Sequence, residues 1–189
     1  MMRKTKWIFV LALLLMCGGA AHAQTSKPTG PLSASEVLDA WIANTETHTV
    51  QVAEAMPEEK YSFAPTNGEF KGVRTFAEQL KHLAANNYWI AAKILGEKPA
   101  ADQENESGPD SVKTKAEIVE YVKDSFGALH KAVASIDGQN EVAPIAGVSG
   151  TWQRTRLGLA VDAVAHSFDH YGQLVEYLRM NGIVPPDSR

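Results

Sequence analysis

The sequence predicts an all-α domain folded as a four-helix bundle, and three observations lead to this prediction. Four segments place apolar residues at helical spacing, two of them open with a capping box, and glycine or proline follows each helical pattern. No two segments show the alternation of paired strands, and the sequence has no internal repeat. Four helices of about 23 to 27 residues in one small domain are typical of a helical bundle.

The first 23 residues are predicted to be an export signal and not part of the fold. Three basic residues precede the apolar run Trp7–Met16, and Ala-His-Ala at 21–23 fits a signal-peptidase site. A run of about ten residues is too short to span a bilayer comfortably, which disfavours an uncleaved anchor. Cys17 raises the alternative of a lipid anchor, but Met16 stands where a small residue is wanted. We therefore expect a periplasmic or extracellular protein.

The charge balance excludes one class of partner. Without the three basic residues of the signal, the chain has 15 basic and 22 acidic side chains, a net charge of −7 with neutral histidines. An acidic chain of this kind is not expected to bind nucleic acid. The single cysteine is Cys17, so the mature chain has no disulfide and depends on its core or on a metal for stability.

The first helix is predicted to begin where a short tether ends. Residues 24–32 are a polar Pro/Gly linker, and residues 33–189 are expected to form the bundle domain. Ser33 and Glu36 form a capping box, and Pro57 stops the helix. The apolar positions of this helix are Val37, Leu38, Trp41, Thr45, His48, Val52 and Met56.

The second helix is predicted from about Val73 to Leu95, with Gly96 as its C-terminal cap. Its apolar stripe consists of Phe76, Leu80, Leu83, Ile90 and Ile94. Residues 97–112 are polar and acidic, and we expect them to form a mobile surface loop.

The last two helices complete the bundle. A capping box at Thr114 opens the third helix, which is expected to end near Gly138. Its apolar positions are Ile118, Val122, Ser125, Leu129, Val133 and Ile136. The fourth helix runs from roughly Thr155 to Asn181 and is followed by Gly182 and a Pro-Pro pair. Connections of about 14 to 18 residues leave room for crossovers between the helices.

Two histidines four residues apart are the first candidates for chemistry. At 100° per residue, His166 and His170 lie about 40° apart on the core-facing half of the fourth helix. Such a pair either packs with satisfied ring nitrogens or chelates one ion from adjacent turns. Gln173 lies beside the pair, whereas Asp169 lies on the acidic outer side, where a solvated charge is expected.

A third ligand is harder to choose from spacing alone. His22 leaves with the signal, and His130 lies off the apolar line of the third helix, as a solvated surface residue would. His48 falls among core positions and is expected to be packed or hydrogen-bonded. His82 lies outside the main stripe of the second helix, although nearby Trp89 suggests a second contact side. Spacing leaves the role of His82 open.

The chain resembles the DinB-like superfamily of metal-binding four-helix bundles. Three segments carry the resemblance, in order along the mature chain: residues 56–66, residues 75–84 ending in His82-Leu-Ala, and the C-terminal H-x-x-x-H-x-G-Q pattern from His166 to Gln173. The resemblance implies a metal site formed by His82, His166 and His170, which places His82 inward. It implies a divalent transition ion, zinc or nickel, with water in the remaining positions.

The resemblance leaves three functions to consider. Three imidazoles with open coordination suit a catalytic ion, so a metal-dependent hydrolase is the first reading. Some relatives are thiol S-transferases, but an exported chain meets few reduced small thiols, and the sequence has no distinct basic cluster to grip an acidic one. The third reading is a non-catalytic, metal-stabilised binding protein. Gln173 is the expected partner of a ligating histidine.

The partners implied by the sequence are few. The sequence does not define the small-molecule ligand or substrate, and it favours no nucleic acid. Some members of the superfamily pair as dimers, so a homodimer is an expected state, although no clear extra apolar face is visible in the sequence.

Overall fold

The structure is a computed structural model that describes residues 30–100, 105–150 and 154–189. The predicted signal, Cys17 and most of the tether lie outside the described residues. The described chain from Leu32 to Arg189 forms one compact unit. It contains four α-helices and no β-strand within the described ranges, which confirms the all-α prediction. None of the described helices is long and apolar enough to cross a membrane.

The four helices are α1 (Ala34–Ala55), α2 (Phe76–Leu95), α3 (Lys115–Val133) and α4 (Arg156–Met180). Capping boxes open the first three. The boxes at Ser33 and Thr114 were expected, and a third at Thr75, with Glu78 reaching back to the Thr75 amide at 2.7 Å, fixes the start of α2. Gly96 closes α2 in the left-handed conformation, as predicted.

Two helix boundaries differ from the sequence prediction. α2 begins at Phe76 and not near Val73, because the Thr75 cap terminates the preceding loop. α3 ends at Val133 and not near Gly138. Ile136 lies in the turn that follows and still packs in the core, so its apolar side chain extended the predicted helix too far. As a consequence, the connections 56–75, 96–114 and 134–155 have 19 to 22 residues, longer than expected.

The order of packing is not the order of the chain. α2 packs on α3 and α4, and α1 also packs on α3 and α4. α1 and α2 lie diagonally opposite each other in the bundle and make few contacts. The same is true of α3 and α4. The first and third connections therefore cross the ends of the bundle, whereas the second joins neighbours. This arrangement sets α2 directly against α4 over their length.

A continuous core runs through the bundle. All five residues of the predicted α2 stripe are fully buried, and so are the predicted α3 positions apart from a slight exposure of Ile136. The expectation for α1 was partly wrong. Trp41 and Val37 are 52% and 41% exposed, and Ile42 and Thr49 are buried in their place. α1 turns toward α3 and α4 through the side that carries Leu38, Ile42 and Thr45, which leaves Trp41 on the outside.

Candidate metal centre

Three histidines converge between α2 and α4. His82 lies in the second turn of α2, and His166 and His170 lie on successive turns of α4. The Nε2 atoms of His82 and His166 are 3.3 Å apart, and those of His166 and His170 are 3.1 Å apart. One ligand atom from each ring lies within 4.8 Å of the others. The three residues named from the sequence are thus brought together by the fold.

The spacing of the nitrogens fits one small ion. Two imidazole nitrogens bound to zinc at about 2.05 Å with a tetrahedral angle lie about 3.3 Å apart. The two Nε2–Nε2 distances match this separation. The three histidines could therefore hold a metal ion without a large movement of either helix.

The opposite nitrogen of each ring contacts a polar group that can fix its tautomer. His170 Nδ1 lies 2.6 Å from Oε1 of Gln79, and His82 Nδ1 lies 2.6 Å from the backbone oxygen of Glu106. Both oxygens accept, so each Nδ1 carries the hydrogen and each Nε2 presents its lone pair. This is the arrangement that metal-binding histidines require of their surroundings.

His166 has a different partner. Its Nδ1 lies 3.1 Å from Nδ2 of Asn86, so the amide donates in this orientation. The Nε2 of His166 then carries the hydrogen and can donate it toward a neighbouring ring. A metal ion on this Nε2 requires the Asn86 amide to turn over and present its oxygen to Nδ1, a change that leaves the heavy-atom positions almost unaltered.

Burial keeps the three rings neutral. Burial, together with the nearby His82 ring, lowers the pKa of His166 to about 4. Burial and the neighbouring imidazoles lower the pKa of His170 to about 3, and burial lowers the pKa of His82. The guanidinium of Arg74 acts in the same direction on all three. Neutral imidazole is the form that binds metal.

A loop closes the site on the side of His82. Gly108 has a left-handed φ of +69°, and a Cβ at this position would lie 3.1 Å from Cβ of Lys81. Only glycine allows the chain to lie so close to α2, and this approach brings the Glu106 carbonyl to His82. Residues 97–112 were expected to form a mobile surface loop, but the contribution of Glu106 in this loop to the site was not predicted.

Gln173 was expected to contact a ligating histidine, but it contacts Gln79, which in turn contacts His170. Its oxygen accepts from Nε2 of Gln79 at 2.7 Å, and its nitrogen donates to the exposed carboxylate of Asp169 at 2.9 Å. Gln79, which is 2% exposed, is the residue that contacts His170. The contacts of Gln79 and Asn86 with the histidines were not predicted, although their positions three before and four after His82 place them on its side of α2.

The remaining histidines lie elsewhere. His48 lies on α1 and faces α4. Its Nδ1 is 2.7 Å from the carboxylate of Asp187, and its ring centroid is 5.4 Å from that of Tyr171. His130 was expected to be a solvated surface residue, and it is partly exposed but paired with two carboxylates. Its side chain is only 29% exposed and lies between Asp39 and Glu46 of α1.

The fold and the site together define a class: a four-helix bundle with an inter-helix group of three histidines that could hold a metal ion. Comparison with known families agrees with this class. The family model described as the DinB superfamily matches residues 42–174, a segment that contains all three histidines. The chain belongs to the DinB superfamily, which confirms the resemblance. No curated protein matches the sequence.

Proposed function

We propose that the protein binds one divalent transition-metal ion, zinc or nickel, through Nε2 of His82, His166 and His170. One observation carries the proposal. Three Nε2 atoms from two helices meet at ligand spacing, while the Nδ1 atoms of His82 and His170 face oxygen acceptors on the opposite side. The one Nε2–H of His166 can serve one neighbouring ring, whereas a shared ion accounts for both short Nε2–Nε2 distances.

The reaction that best suits this site is hydrolysis. Among the described residues, no fourth His, Cys, Asp or Glu joins the group, and three protein ligands with an open position are typical of catalytic zinc. A bound divalent ion supplies Lewis acidity and lowers the pKa of water. The chain contributes the ligands, their fixed tautomers, and the positive charge of Arg74 nearby.

The thiol S-transferase alternative has weaker support. It requires cationic groups that bind an acidic thiol, and among the described residues Arg74 is a cation whose charge acts on all three histidines. That guanidinium lies 3.6 Å from the carboxylate of Glu106, which already neutralises part of its charge. The export that we propose from the N-terminal sequence would also remove the protein from reduced cytosolic thiols.

Metal analysis of purified variants tests the proposal. The full-length sequence is expressed, the protein is recovered from the compartment that receives it, and metal per chain is measured by plasma mass spectrometry. We expect one ion per chain in the wild type and almost none in His166→Ala and His170→Ala, because the two imidazoles that remain, one on each helix, bind far more weakly than three.

His48→Ala and His130→Ala are the matched controls, because both remove a histidine that lies outside the group. They should retain one ion per chain. Full metal content in both His166→Ala and His170→Ala, with folding verified by circular dichroism, would show that the ion binds elsewhere.

A further inference from the structure

A chain of three hydrogen bonds leads from the buried ring of His170 to the surface of the protein. Nδ1 of His170 lies 2.6 Å from Oε1 of Gln79. Nε2 of Gln79 donates to Oε1 of Gln173 at 2.7 Å, and Nε2 of Gln173 donates to the carboxylate of Asp169 at 2.9 Å. His170 and Gln79 are buried, whereas Asp169 is exposed. We call these four residues the amide chain.

The direction of every bond in the amide chain follows from the group at its outer end. A carboxylate offers only acceptors, so the part of the Gln173 amide that faces Asp169 is its NH₂ group. The oxygen of Gln173 then faces Gln79 and accepts from the NH₂ group there, which leaves the oxygen of Gln79 for the ring. Nδ1 of His170 therefore carries the hydrogen, and Nε2 presents its lone pair.

The middle of the amide chain has no preference of its own. A side-chain amide can be turned over with almost no change in its heavy-atom positions. If Gln173 and Gln79 both turned over, the NH₂ group of Gln79 would donate to Nδ1, and the hydrogen of His170 would lie on Nε2. Only a group that cannot exchange donor for acceptor fixes the direction, and in this chain that group is Asp169.

His82 reaches the same tautomer without such a chain. Its Nδ1 lies 2.6 Å from the backbone oxygen of Glu106, which only accepts. A change at Asp169 should therefore leave the tautomer of His82 unaltered, and His82 serves as an internal reference within the same site.

We propose that Asp169 is a positioning residue, whose carboxylate acts through Gln173 and Gln79 to keep the hydrogen of His170 on Nδ1. The exposed charge on the outer side of α4 thus controls a buried ring three hydrogen bonds away. Nε2 is the atom through which we propose that His170 binds an ion. The effect of Asp169 on metal affinity rests on that proposed function, whereas its effect on the tautomer does not.

Nuclear magnetic resonance of the metal-free protein at neutral pH tests the proposal. Burial and the neighbouring imidazoles lower the pKa of His170 to about 3, so its ring is neutral there. The chemical shifts of the two ring nitrogens report which one carries the hydrogen, and the His170→Ala variant identifies the signals of His170. In the wild type we expect the Nδ1–H form in nearly all molecules.

Two substitutions change the outer end of the amide chain. The amide of Asp169→Asn can face Gln173 with either end, so the Nδ1–H form of His170 should fall to about half. The ammonium of Asp169→Lys only donates, which reverses every bond of the chain, so the Nδ1–H form should become the minor one. Nε2–H of His170 then donates to His166, whose Nε2 accepts once the Asn86 amide turns over.

Asp162→Lys is the matched control for Asp169→Lys. The charges of Asp162 and Asp169 both oppose the lowering of the His166 pKa by burial, so the two substitutions change the field at the site in the same sense. Asp162 is not part of the amide chain. We expect Asp162→Lys to leave both His170 and His82 in the Nδ1–H form, and circular dichroism verifies the folding of each variant.

Metal affinity is measured separately in the same variants. With the correct tautomer in only half of the molecules, the dissociation constant of Asp169→Asn should rise about twofold. Tautomers that shift as expected in a protein that binds no metal would support the role of Asp169 and contradict the metal site. Three results would overturn the role of Asp169: a wild-type His170 with its hydrogen on Nε2, an Nδ1–H form that stays dominant in Asp169→Lys, or an equal shift in Asp162→Lys.

Discussion

At the scale of single residues, the polar partners of the histidines matter as much as the histidines. Gln79, Asn86 and the Glu106 carbonyl each contact an Nδ1 atom, and the partner decides which ring nitrogen is free. Two of the three are already set for metal. The site is therefore largely ordered before any ion arrives, which lowers the cost of binding.

Replacing Gln79 tests this arrangement. In Gln79→Leu the Nδ1–H of His170 loses its acceptor in a buried position, and the ring loses its fixed tautomer. We expect metal affinity, measured by competition with a chromophoric chelator, to fall by about 10- to 100-fold. Circular dichroism should show an unchanged helix content.

Gln173→Leu is the matched control for Gln79→Leu. Gln173 contacts Gln79 and Asp169, so its loss leaves the hydrogen bond between Gln79 and His170 in place. The affinity should change by only a few fold. A larger loss in Gln173→Leu than in Gln79→Leu would mean that the tautomer of His170 is not controlled by Gln79.

The histidines also show how far residue-level prediction extends. The i,i+4 spacing of His166 and His170 was enough to place both rings on the inner half of α4, and the structure confirms this. His82 could not be placed in the same way. α2 contacts two neighbouring helices, and its apolar stripe marks only the side that packs in the core. His82 lies on a second, polar side of α2, which it shares with Gln79 and Asn86 and which faces α4.

At the scale of helices, α1 and α3 are joined by charged contacts at their shared edge. His130 of α3 lies between two carboxylates of α1, with Nδ1 2.5 Å from Asp39 and Nε2 3.2 Å from Glu46. Burial opposes the charged ring, but the two hydrogen bonds and the two negative charges outweigh it and raise the pKa of His130. A protonated imidazole donates to both carboxylates at once.

The contact should make stability depend on pH with a defined sign. Because the folded pKa of His130 lies above the unfolded value of about 6.5, its contribution is complete below pH 6.5 and is lost as the pH rises through the folded value. We expect His130→Ala to lower the free energy of unfolding by about 1 kcal/mol at pH 6 and by clearly less at pH 9. Urea unfolding with a chelator present measures both values.

Lys123→Ala provides the comparison for His130→Ala. Lys123 pairs with Glu54 at 2.9 Å across the same two helices, and its charge does not change between pH 6 and pH 9 because its pKa is raised. Its small effect on stability should be the same at both pH values. An equal loss at both pH values in His130→Ala would show that the imidazole acts by packing alone.

Helix boundaries were predicted where the signal is local. The boxes at Ser33 and Thr114 and the glycine after α2 act through hydrogen bonds within a few residues, and their positions were confirmed. The exposed Trp41 was not foreseen, because which side of α1 faces inward depends on where α3 and α4 lie. Pattern alone cannot distinguish a tryptophan in the core from one at a contact surface.

At the scale of the whole molecule, the core closes independently of the three histidines. Apolar residues from all four helices form one buried cluster, and the fully buried Phe76, Phe126 and Leu174 belong to it. Removal of a bound ion therefore should not unfold the bundle. This separates a site for chemistry from a site that supplies folding free energy.

Thermal unfolding with and without a chelator tests this separation. We expect the helix content at 25 °C to be unchanged by chelation. Metal at 100 times its dissociation constant should add about 2.7 kcal/mol, which raises the melting temperature by roughly 5 to 10 °C for a domain of this size. His170→Ala, which lacks a ligand, should show no shift. Loss of helix content on chelation would instead assign the ion a structural role.

The crossing connections have a consequence for how the centre is loaded. His82 and His166 are 84 positions apart, and α3 with two long connections must be laid down before α4 can dock against α2. An ion that met the unfinished chain would find His82 without the two ligands of α4 and would bind weakly. If the site binds metal as proposed, the ion would be selected only when the bundle closes, and the ions of the compartment where it closes would decide which metal is bound.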